Sequence, residues 1–283
     1  MDESPLISVI IPTHNEAPTL EVAVRSIMEQ TYKNLEIIVA DDWSTDATQQ
    51  IIKTLVKEDP RIRYIRTPTE NQNKTDWRGT NISVGYDVRN YAMESSRGDW
   101  ITFQDADDAS LLNRVAVQLS LALKYNATLI TTGWLPLRED YLRKKLDTTK
   151  FEKDFPEPSA SPKTIAAIAV EAKGLLSGNG LLNQYIPFEI KKRLLRPLFW
   201  GNLKPYPGAD NSMFFKKEVI QKVSFRSRNT RVWPALSGRG VGRDFVFQVA
   251  ETFQNSFSFL HPLYLWRIRD IPTDSDAFSR YLI

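Results

Sequence analysis

The sequence predicts an α/β fold: a mostly parallel, Rossmann-like sheet flanked by helices. Two observations lead to this class. Short β-branched runs alternate with helical stretches through the first half of the 283-residue chain, which is the pattern of parallel βαβ units joined by right-handed crossovers. The polar residues of this half gather where the predicted strands end, and ligands of parallel sheets bind at the carboxyl ends of the strands.

The elements follow from local patterns taken in order. The run Leu6–Ile11 is apolar enough for a buried strand and is ended by Pro12. The next stretch repeats Leu20, Val24 and Ile27 at helical spacing. By the same criteria the predicted strands are 6–11, 36–40, 62–65, 100–103 and 127–132, and the helices between them are 17–30, 46–57, 84–96 and 115–125.

The alternation stops after residue 136. Residues 138–163 are charged and contain prolines, so we expect a mobile connection or an inserted subregion. Helices are predicted at 164–176 and 184–200, and strands at 212–215 and 257–266. The chain therefore divides into three expected parts, 1–135, 136–204 with a helical insertion, and 205–283.

Composition excludes several functional classes. The chain has no cysteine and two histidines, so disulfide scaffolds, thiolate zinc sites, iron–sulfur clusters and histidine-rich metal sites are excluded. Its net charge is +3, but residues 1–60 hold 4 basic against 11 acidic side chains, which argues against a nucleic-acid binder. No run reaches the roughly 18 apolar residues of a membrane span, and no basic leader precedes the first strand, so we expect a cytoplasmic protein.

Polar clusters follow three of the predicted strands: 12–16 after the first, 41–46 after the second and 105–108 after the fourth. Helix capping explains Ser44 and Asp46. It does not explain Asp105-Ala106-Asp107-Asp108, where like charges crowd together and need a counter-charge. A divalent cation is the natural one, since it prefers oxygen ligands.

Three runs carry a family resemblance: SVIIPTHNE, SIMEQTYKNLEIIVADDWSTDAT and VRNYAMESSRGDWITFQDADD. They resemble the inverting glycosyltransferases of family 2, which have the GT-A fold. The match covers residues 6–134, with a weaker one over 206–270, whereas 136–204 matches no pattern that we can place. The resemblance implies a metal-dependent transfer of sugar from a nucleoside-diphosphate donor, UDP by preference, to a hydroxyl of a glycan or lipid-linked glycan.

The resemblance also assigns residues. Asp107 would ligate Mn²⁺ or Mg²⁺, and Asp105 would hold the ribose or a metal-bound water. Asp42 would accept a hydrogen bond from the base of the nucleotide. The residues expected to frame the base and ribose are Pro12, Thr13, Asn15 and Glu16.

Two charged residues keep alternative interpretations. Arg89 either binds the diphosphate or forms an ion pair with the aspartate cluster. Asp244 follows a glycine-rich loop at 238–242 and opens a predicted helix at 245–252. The resemblance makes it the base that deprotonates the acceptor hydroxyl, and the alternative is a carboxylate that only stabilises the helix N-terminus.

Two positions depart from the family pattern. Trp43 stands where a glycine is usual, so either the turn differs or the indole covers the donor or acceptor. Arg243 stands where a glutamate is usual, and it would either depress the pKa of Asp244 or bind an acceptor anion.

The predicted helix 184–200 is basic and amphipathic. Such a helix suits the surface of an anionic membrane, where lipid-linked acceptors reside and a peripheral contact would form. The favoured alternative is a helix that packs its apolar stripe on the catalytic domain and leaves its basic face in solvent.

Other functional classes fit less well. A dinucleotide oxidoreductase needs G-x-G-x-x-G after the first strand, and an aspartyl-phosphate transferase needs its Asp-x-Asp there. A non-catalytic sugar-nucleotide or glycan-binding module of the same fold remains the alternative, although intact Asp105, Asp107 and Asp244 argue against it. We expect His261 to be structural and His14 to line the pocket without being needed for the chemistry.

Overall fold

The structure is a computed structural model that describes residues 4–70, 85–236, 240–268 and 277–283. Its strands are β1 (Ile7–Thr13), β2 (Leu35–Asp41), β3 (Ile62–Arg66), β4 (Trp100–Phe103), β5 (Ala109–Ser110), β6 (Leu129–Pro136), β7 (Phe214–Lys216) and β8 (Ser256–Trp266). Its helices are α1 (Leu20–Met28), α2 (Thr48–Glu58), α3 (Tyr86–Ser95), α4 (Arg114–Lys124), α5 (Thr148–Asp154), α6 (Pro162–Glu171), α7 (Gly180–Tyr185), α8 (Phe188–Arg193), α9 (Arg196–Phe199) and α10 (Val241–Phe253).

The described strands form one sheet in the order β3-β2-β1-β4-β7-β6-β8-β5. β1 runs parallel to both β2 and β4, and β2 runs parallel to β3. β7 lies antiparallel between β4 and β6, so a strand from the third part of the chain is inserted next to the first part. The predicted fold class, a mostly parallel sheet flanked by helices, is confirmed.

Helices cover both faces of the sheet. Val9 and Ile11 pack with α1, α2 and α4 on one face, while Ile10 packs with α3, α6 and α10 on the other. Because both faces are covered, the strands are continuous apolar runs rather than alternating ones. Because the strands are packed on both faces, the positions of their carboxyl ends and of the loops that follow them are well defined.

The predicted helix 184–200 is wrong as a single element. The structure has three short helices there, α7, α8 and α9. Pro187 lacks an N–H and disfavours a helical conformation of Ile186, so α7 ends at Tyr185. Pro197 lies in the first turn of α9, where a missing N–H costs little.

The stretch 138–163 is an ordered subregion, so the mobile connection offered as one alternative is wrong. It contains α5, whose Phe151 is fully buried against Phe155, Phe278 and Tyr281. Sequence periodicity did not indicate α5, because it is short and has one buried apolar residue. Across the ranges that the structure describes, no helix is both long and apolar enough to cross a membrane.

Candidate active site

A cavity of about 360 Å³ opens at the carboxyl ends of β1, β2 and β4. All three polar clusters reach it, as their positions at parallel strand ends predict. Its lining residues are Pro12, Thr13, His14, Glu16, Asp42, Gly85, Val88, Arg89, Asp105, Ala106, Asp107, Asp108 and Trp266.

The loops after β1 and β2 are fastened to each other by Asn15. Its backbone N–H donates to Ser44 Oγ at 2.9 Å, and its side-chain oxygen accepts from the backbone N–H of Thr45 at 2.8 Å. The latch requires a left-handed backbone at Asn15 (φ 56°), a conformation that asparagine tolerates well. Asn15 was predicted to frame the base and ribose. Within the described part of the chain it holds the two loops together but does not line the cavity.

Asp42 and His14 form one wall of the cavity. The backbone N–H of Asp42 donates to the carbonyl of Thr13, and His14 Nδ1 lies 2.6 Å from the carbonyl oxygen of Asp42, to which it donates. Asp42 is buried, 7% exposed. Glu16 stands nearby, and its pKa is raised by burial and by the charge of Asp107.

Trp43 adopts a positive φ, the conformation that a glycine would permit. Its φ is 59°, so the expectation of a different turn is wrong. The indole Nε1 donates to the carbonyl of Thr67 at 3.1 Å, and the Arg66 guanidinium lies 4.4 Å from the ring centroid. The indole thus packs against the end of β3, where the cation–π contact holds it.

The aspartate cluster places its three carboxylates at different depths. Asp107 is exposed to the cavity, Asp105 is half-buried and Asp108 is buried. Partial desolvation inside the cavity, reinforced by the charge of Asp105, raises the pKa of Asp107. Full burial and the same charge raise the pKa of Asp108 to about 8. Burial and mutual repulsion therefore oppose ionisation of Asp107 and Asp108, and a bound cation would favour it.

The end of β8 holds this loop in place. Tyr264 Oη accepts a hydrogen bond from the backbone N–H of Asp105 at 2.9 Å. Arg267 donates its backbone N–H to Asp108 Oδ1 and its Nε to the carbonyl of Asp107, each at 2.7 Å. Neither Tyr264 nor Arg267 was a predicted site residue, because their link to the cluster spans about 160 positions and depends on the pairing of β5 with β8.

Arg89 forms the ion pair that was one of its two predicted roles. Its Nη2 lies 2.7 Å from Asp105 Oδ1, and its guanidinium lies 5.1 Å from the Phe103 ring centroid. It also lines the cavity, so its remaining donors stay close to a bound ligand.

A second arginine lies beneath the cluster. Arg114 is fully buried, donates Nη1 to the carbonyl of Phe103 at 3.0 Å, and has its Nε and Nη2 without a partner among the described residues. Desolvation lowers its pKa to about 10, so it stays charged at neutral pH. Sequence reasoning missed it, because an arginine at the start of a helix is ordinarily exposed.

The aspartate cluster fits a hard divalent cation. Arg89 and Arg267 contact it, yet the pKa of Asp107 remains raised by crowding and burial. In the described ranges no three acidic or histidine side chains are grouped to enclose an ion by themselves. Mg²⁺ is commonly held in proteins by one or two carboxylates together with substrate phosphates and water.

A smaller cavity of about 140 Å³ adjoins the first and shares Arg89 and Asp105 with it. Asp210 lies on its wall, next to the first turn of α10. The backbone N–H of Arg243 donates to the Asp210 carboxylate, and burial raises the pKa of that carboxyl. Gly242 permits this contact, because a Cβ there would lie 2.9 Å from Asp210 Oδ2.

Asp244 does not line either of these two cavities. It is fully buried and accepts from Arg226 Nε at 2.8 Å and Nη2 at 3.0 Å. It also accepts from the backbone N–H groups of Val232 and Trp233, and from Gln248 Nε2.

The general-base role of Asp244 stays a prediction, and this geometry favours a structural role. Its ion-pair partner is Arg226. Arg243 instead donates its Nη2 to the carbonyl of Lys204.

The amino-terminal part of the chain matches the family model for glycosyl transferase family 2 over residues 8–77. A β-1,3-glucosyltransferase of Campylobacter jejuni, named for GalNAc(5)-diNAcBac-PP-undecaprenol, is 34% identical over 150 residues, which is 53% of this chain and 45% of that protein. The chain thus spans about half the length of this curated relative.

Two solved structures share the fold. S. aureus TarS 1-349 in complex with UDP-GlcNAc superposes with a TM-score of 0.55 and 14% identity, over 94% of this chain and 59% of that one. The mannosyltransferase PcManGT of Pyrobaculum calidifontis, in complex with GDP-Man and Mn²⁺, gives a TM-score of 0.52 and 16% identity over 92% and 56% of the two chains. The chain therefore contains a glycosyl transferase family 2 domain, set in the GT-A fold.

Proposed function

We propose that this glycosyltransferase moves a sugar, with inversion, from a nucleoside-diphosphate donor to a hydroxyl of a glycan or lipid-linked glycan. One observation carries the proposal: three polar clusters, separated in sequence, line a single cavity in which desolvation and like charge oppose the charged form of Asp107. A bound Mn²⁺ or Mg²⁺ would favour the carboxylate form, and the donor diphosphate would complete the oxygen ligands of the cation.

The donor occupies the 360 Å³ cavity in this proposal. Asp42 accepts from the base, and Pro12, Thr13 and Glu16 frame the base and ribose. Asn15 contributes by holding the two loops together. Asp107 is the metal ligand, because it is the exposed carboxylate of its cluster, while Asp105 stays with Arg89 and faces the ribose.

UDP is the preferred nucleotide. The TarS complex contains UDP-GlcNAc, and the PcManGT complex contains GDP-Man. We place uracil against Asp42 because the TarS complex contains UDP-GlcNAc and because the ring N–H of uracil can donate to a carboxylate.

Transfer requires a base for the acceptor hydroxyl. The oxygen of that hydroxyl attacks the anomeric carbon, the bond from this carbon to the diphosphate breaks on the opposite face, and the proton passes to a carboxylate. A bound cation would neutralise the charge that develops on the leaving diphosphate.

Two carboxylates are candidates for the base. Asp210 lies on the wall of the adjoining cavity, beside Arg89 and Asp105, and its raised pKa suits proton acceptance. Asp244 is the family-based candidate, but its oxygens already accept five hydrogen bonds. We therefore propose Asp210 as the base and keep Asp244 as the alternative to be tested.

We assign acceptor binding to the parts of the chain that follow the donor half. We propose that residues 1–135 bind the donor, that 205–283 bind the acceptor, and that 136–204 form a helical insertion on the acceptor side. A lipid-linked acceptor is favoured because the C. jejuni relative is named for an undecaprenol-diphosphate glycan.

The test is release of nucleoside diphosphate from a panel of UDP-, GDP- and dTDP-sugars with Mn²⁺ and an acceptor pool. We expect turnover with a UDP-sugar, its loss in Asp107→Asn, and full activity in the control Asp140→Asn, whose side chain is exposed and outside both cavities. Proton NMR of the product should show an anomeric configuration opposite to that of the donor. Tight donor binding without turnover for any donor would indicate the non-catalytic module instead.

A further inference from the structure

Exposed apolar side chains are concentrated in one segment of the chain. Of the fourteen large apolar residues that are exposed in the described ranges, eight lie between Val170 and Leu198. They are Val170, Leu175, Leu181, Leu182, Tyr185, Ile190, Leu194 and Leu198. Single exposed apolar residues need no explanation, but a concentration of this kind marks an interaction surface.

The exposure does not result from a segment without a core. Phe188, Phe199 and Trp200 are buried together in a small apolar cluster of their own. The buried Lys191 donates its Nζ to the carbonyl of Asn183 at 2.7 Å, which ties α8 to α7. The segment is therefore packed and still presents leucines to solvent.

Hydrogen bonds bring the exposed residues near one another. The backbone N–H of Leu176 donates to the carbonyl of Leu198 at 2.7 Å, and Lys173 bridges Trp200, so Leu175 runs beside Leu198. On α7, Leu181 and Tyr185 are four residues apart and share one helical face. Leu194 follows α8, which contacts α9, the helix that contains Leu198.

The charge of this surface is positive. Both acidic residues between 170 and 198 are in ion pairs. Glu171 pairs with Lys204 at 2.7 Å, and Glu189 pairs with Arg228 at 2.7 Å and with Arg193 at 3.8 Å. Three basic residues, Lys192, Arg193 and Arg196, lie among the exposed leucines. The surface thus combines apolar side chains with cations.

We infer that residues 170–198 form a docking surface for an anionic phospholipid bilayer. Leucine and tyrosine side chains gain from entering the headgroup region, and lysine and arginine side chains gain from the negative surface potential. The surface is joined to the catalytic domain, because α6 packs against α10 and Trp233 Nε1 donates to the carbonyl of Ala169 at 2.9 Å. The inference does not depend on the proposed reaction, since lipid binding is measured without donor or acceptor.

The test is flotation of the full chain with vesicles of phosphatidylcholine alone or of equal parts phosphatidylcholine and phosphatidylglycerol. We expect binding to the anionic vesicles and little binding to the neutral ones. The variant Lys192→Gln/Arg193→Gln/Arg196→Gln should lower the partition coefficient about a hundredfold, since each cation near an anionic surface contributes roughly fivefold. Raising the salt concentration should weaken the binding of the wild type.

The apolar part is tested by Leu181→Glu/Leu194→Glu, which should lower the partition coefficient at least tenfold. Leu123→Glu is the matched control, because Leu123 on α4 is also exposed, at 58%, but lies outside the segment, and it should bind like the wild type. Equal binding of all variants would overturn the inference. So would a concentration-dependent dimer that Leu181→Glu/Leu194→Glu abolishes in a protein that does not bind the vesicles, because the surface would then join two copies of this chain.

Discussion

The aspartate cluster and Asp244 are both acidic sites, but their surroundings differ in kind. In the cluster, three carboxylates share one loop, and the pKa values of Asp107 and Asp108 are raised. Asp244 stands alone and accepts five hydrogen bonds, two of them from Arg226. In the first site burial and like charge oppose the charged carboxylates, whereas in the second the carboxylate oxygens are already hydrogen-bonded.

This difference distinguishes carboxylates that bind a ligand from carboxylates that hold the fold together. A ligand cation stabilises a carboxylate whose charge is opposed by burial and by neighbouring carboxylates. The free energy of binding then offsets the stability that the protein loses by holding such a group. A carboxylate that is fully hydrogen-bonded fixes the backbone around it, here the segment from Arg226 to Trp233. The sequence alone shows an aspartate in both cases.

The largest expected effect comes from removing the charge of Asp107. Asp107→Asn should lower nucleotide release by about a thousandfold, because loss of one group that stabilises transition-state charge costs about 10²–10³ in rate and loss of a metal ligand adds to it. The free energy of unfolding should stay the same or rise, since like-charge repulsion from Asp105 is relieved. Steady-state kinetics and urea denaturation measure the two quantities. A variant that loses stability but keeps its rate would place Asp107 with the structural carboxylates.

Asp244→Ala should show the opposite result, a loss of stability with the rate of transfer retained where the protein is folded. Removing it leaves Arg226 and two backbone N–H groups without their acceptor, which should lower the free energy of unfolding by about 3 kcal/mol, the low end for a buried pair because Arg226 reaches solvent. Urea denaturation of Asp244→Ala and Arg226→Gln provides the check. Unchanged stability together with lost transfer would show that Asp244 is the base after all.

Asp210→Asn separates the two candidates for the base. A general base contributes about 10²–10⁴ in rate, so this variant should lose at least a hundredfold in transfer. Its affinity for donor should be nearly unchanged, because Asp210 lies in the adjoining cavity. Single-turnover kinetics with a saturating donor measure the rate, and Asn211→Ala, at the next position of the same wall, is the control. Transfer at the wild-type rate in Asp210→Asn would exclude this residue.

The smallest effect concerns a third buried group, His261. Both of its ring nitrogens lack a hydrogen-bond partner among the described residues, and burial lowers its pKa from 6.5 to about 4. Its neutral form is therefore compatible with the fold above pH 6.5, and stability is lost as the pH falls from 6.5 towards 4. Between pH 7 and 4.5 this loss amounts to about 2 kcal/mol. His261→Leu should show a smaller decrease over the same range, and an equal decrease would assign the acid sensitivity to other groups.

Much of the donor half could be predicted from the sequence. Its strands are continuous apolar runs and its helices carry regular apolar spacing, so local pattern and tertiary burial agree, as in β1 and α1. The convergence of 12–16, 41–46 and 105–108 followed from parallel topology alone.

The insertion and the acceptor half could not be predicted equally well. The spacing of Ile186, Ile190 and Leu194 suggested one long helix, but Pro187 divides it. Arg114, Tyr264 and Arg267 reach the aspartate cluster through long-range packing that no local pattern encodes. Asp210 lines the smaller cavity, whereas Asp244 is buried in the first turn of α10. The position at which α10 begins decides this difference, and no local pattern shows it.

Calorimetric titration with UDP tests the central claim most directly, that the crowded carboxylates of the aspartate cluster bind a cation together with a nucleoside diphosphate. The wild type should bind UDP at least tenfold more tightly with Mn²⁺ than with EDTA, and Asp107→Asn should lose this difference while Asp244→Ala, measured under conditions where it is folded, retains it. Equal affinity of the wild type with and without the cation would contradict the account.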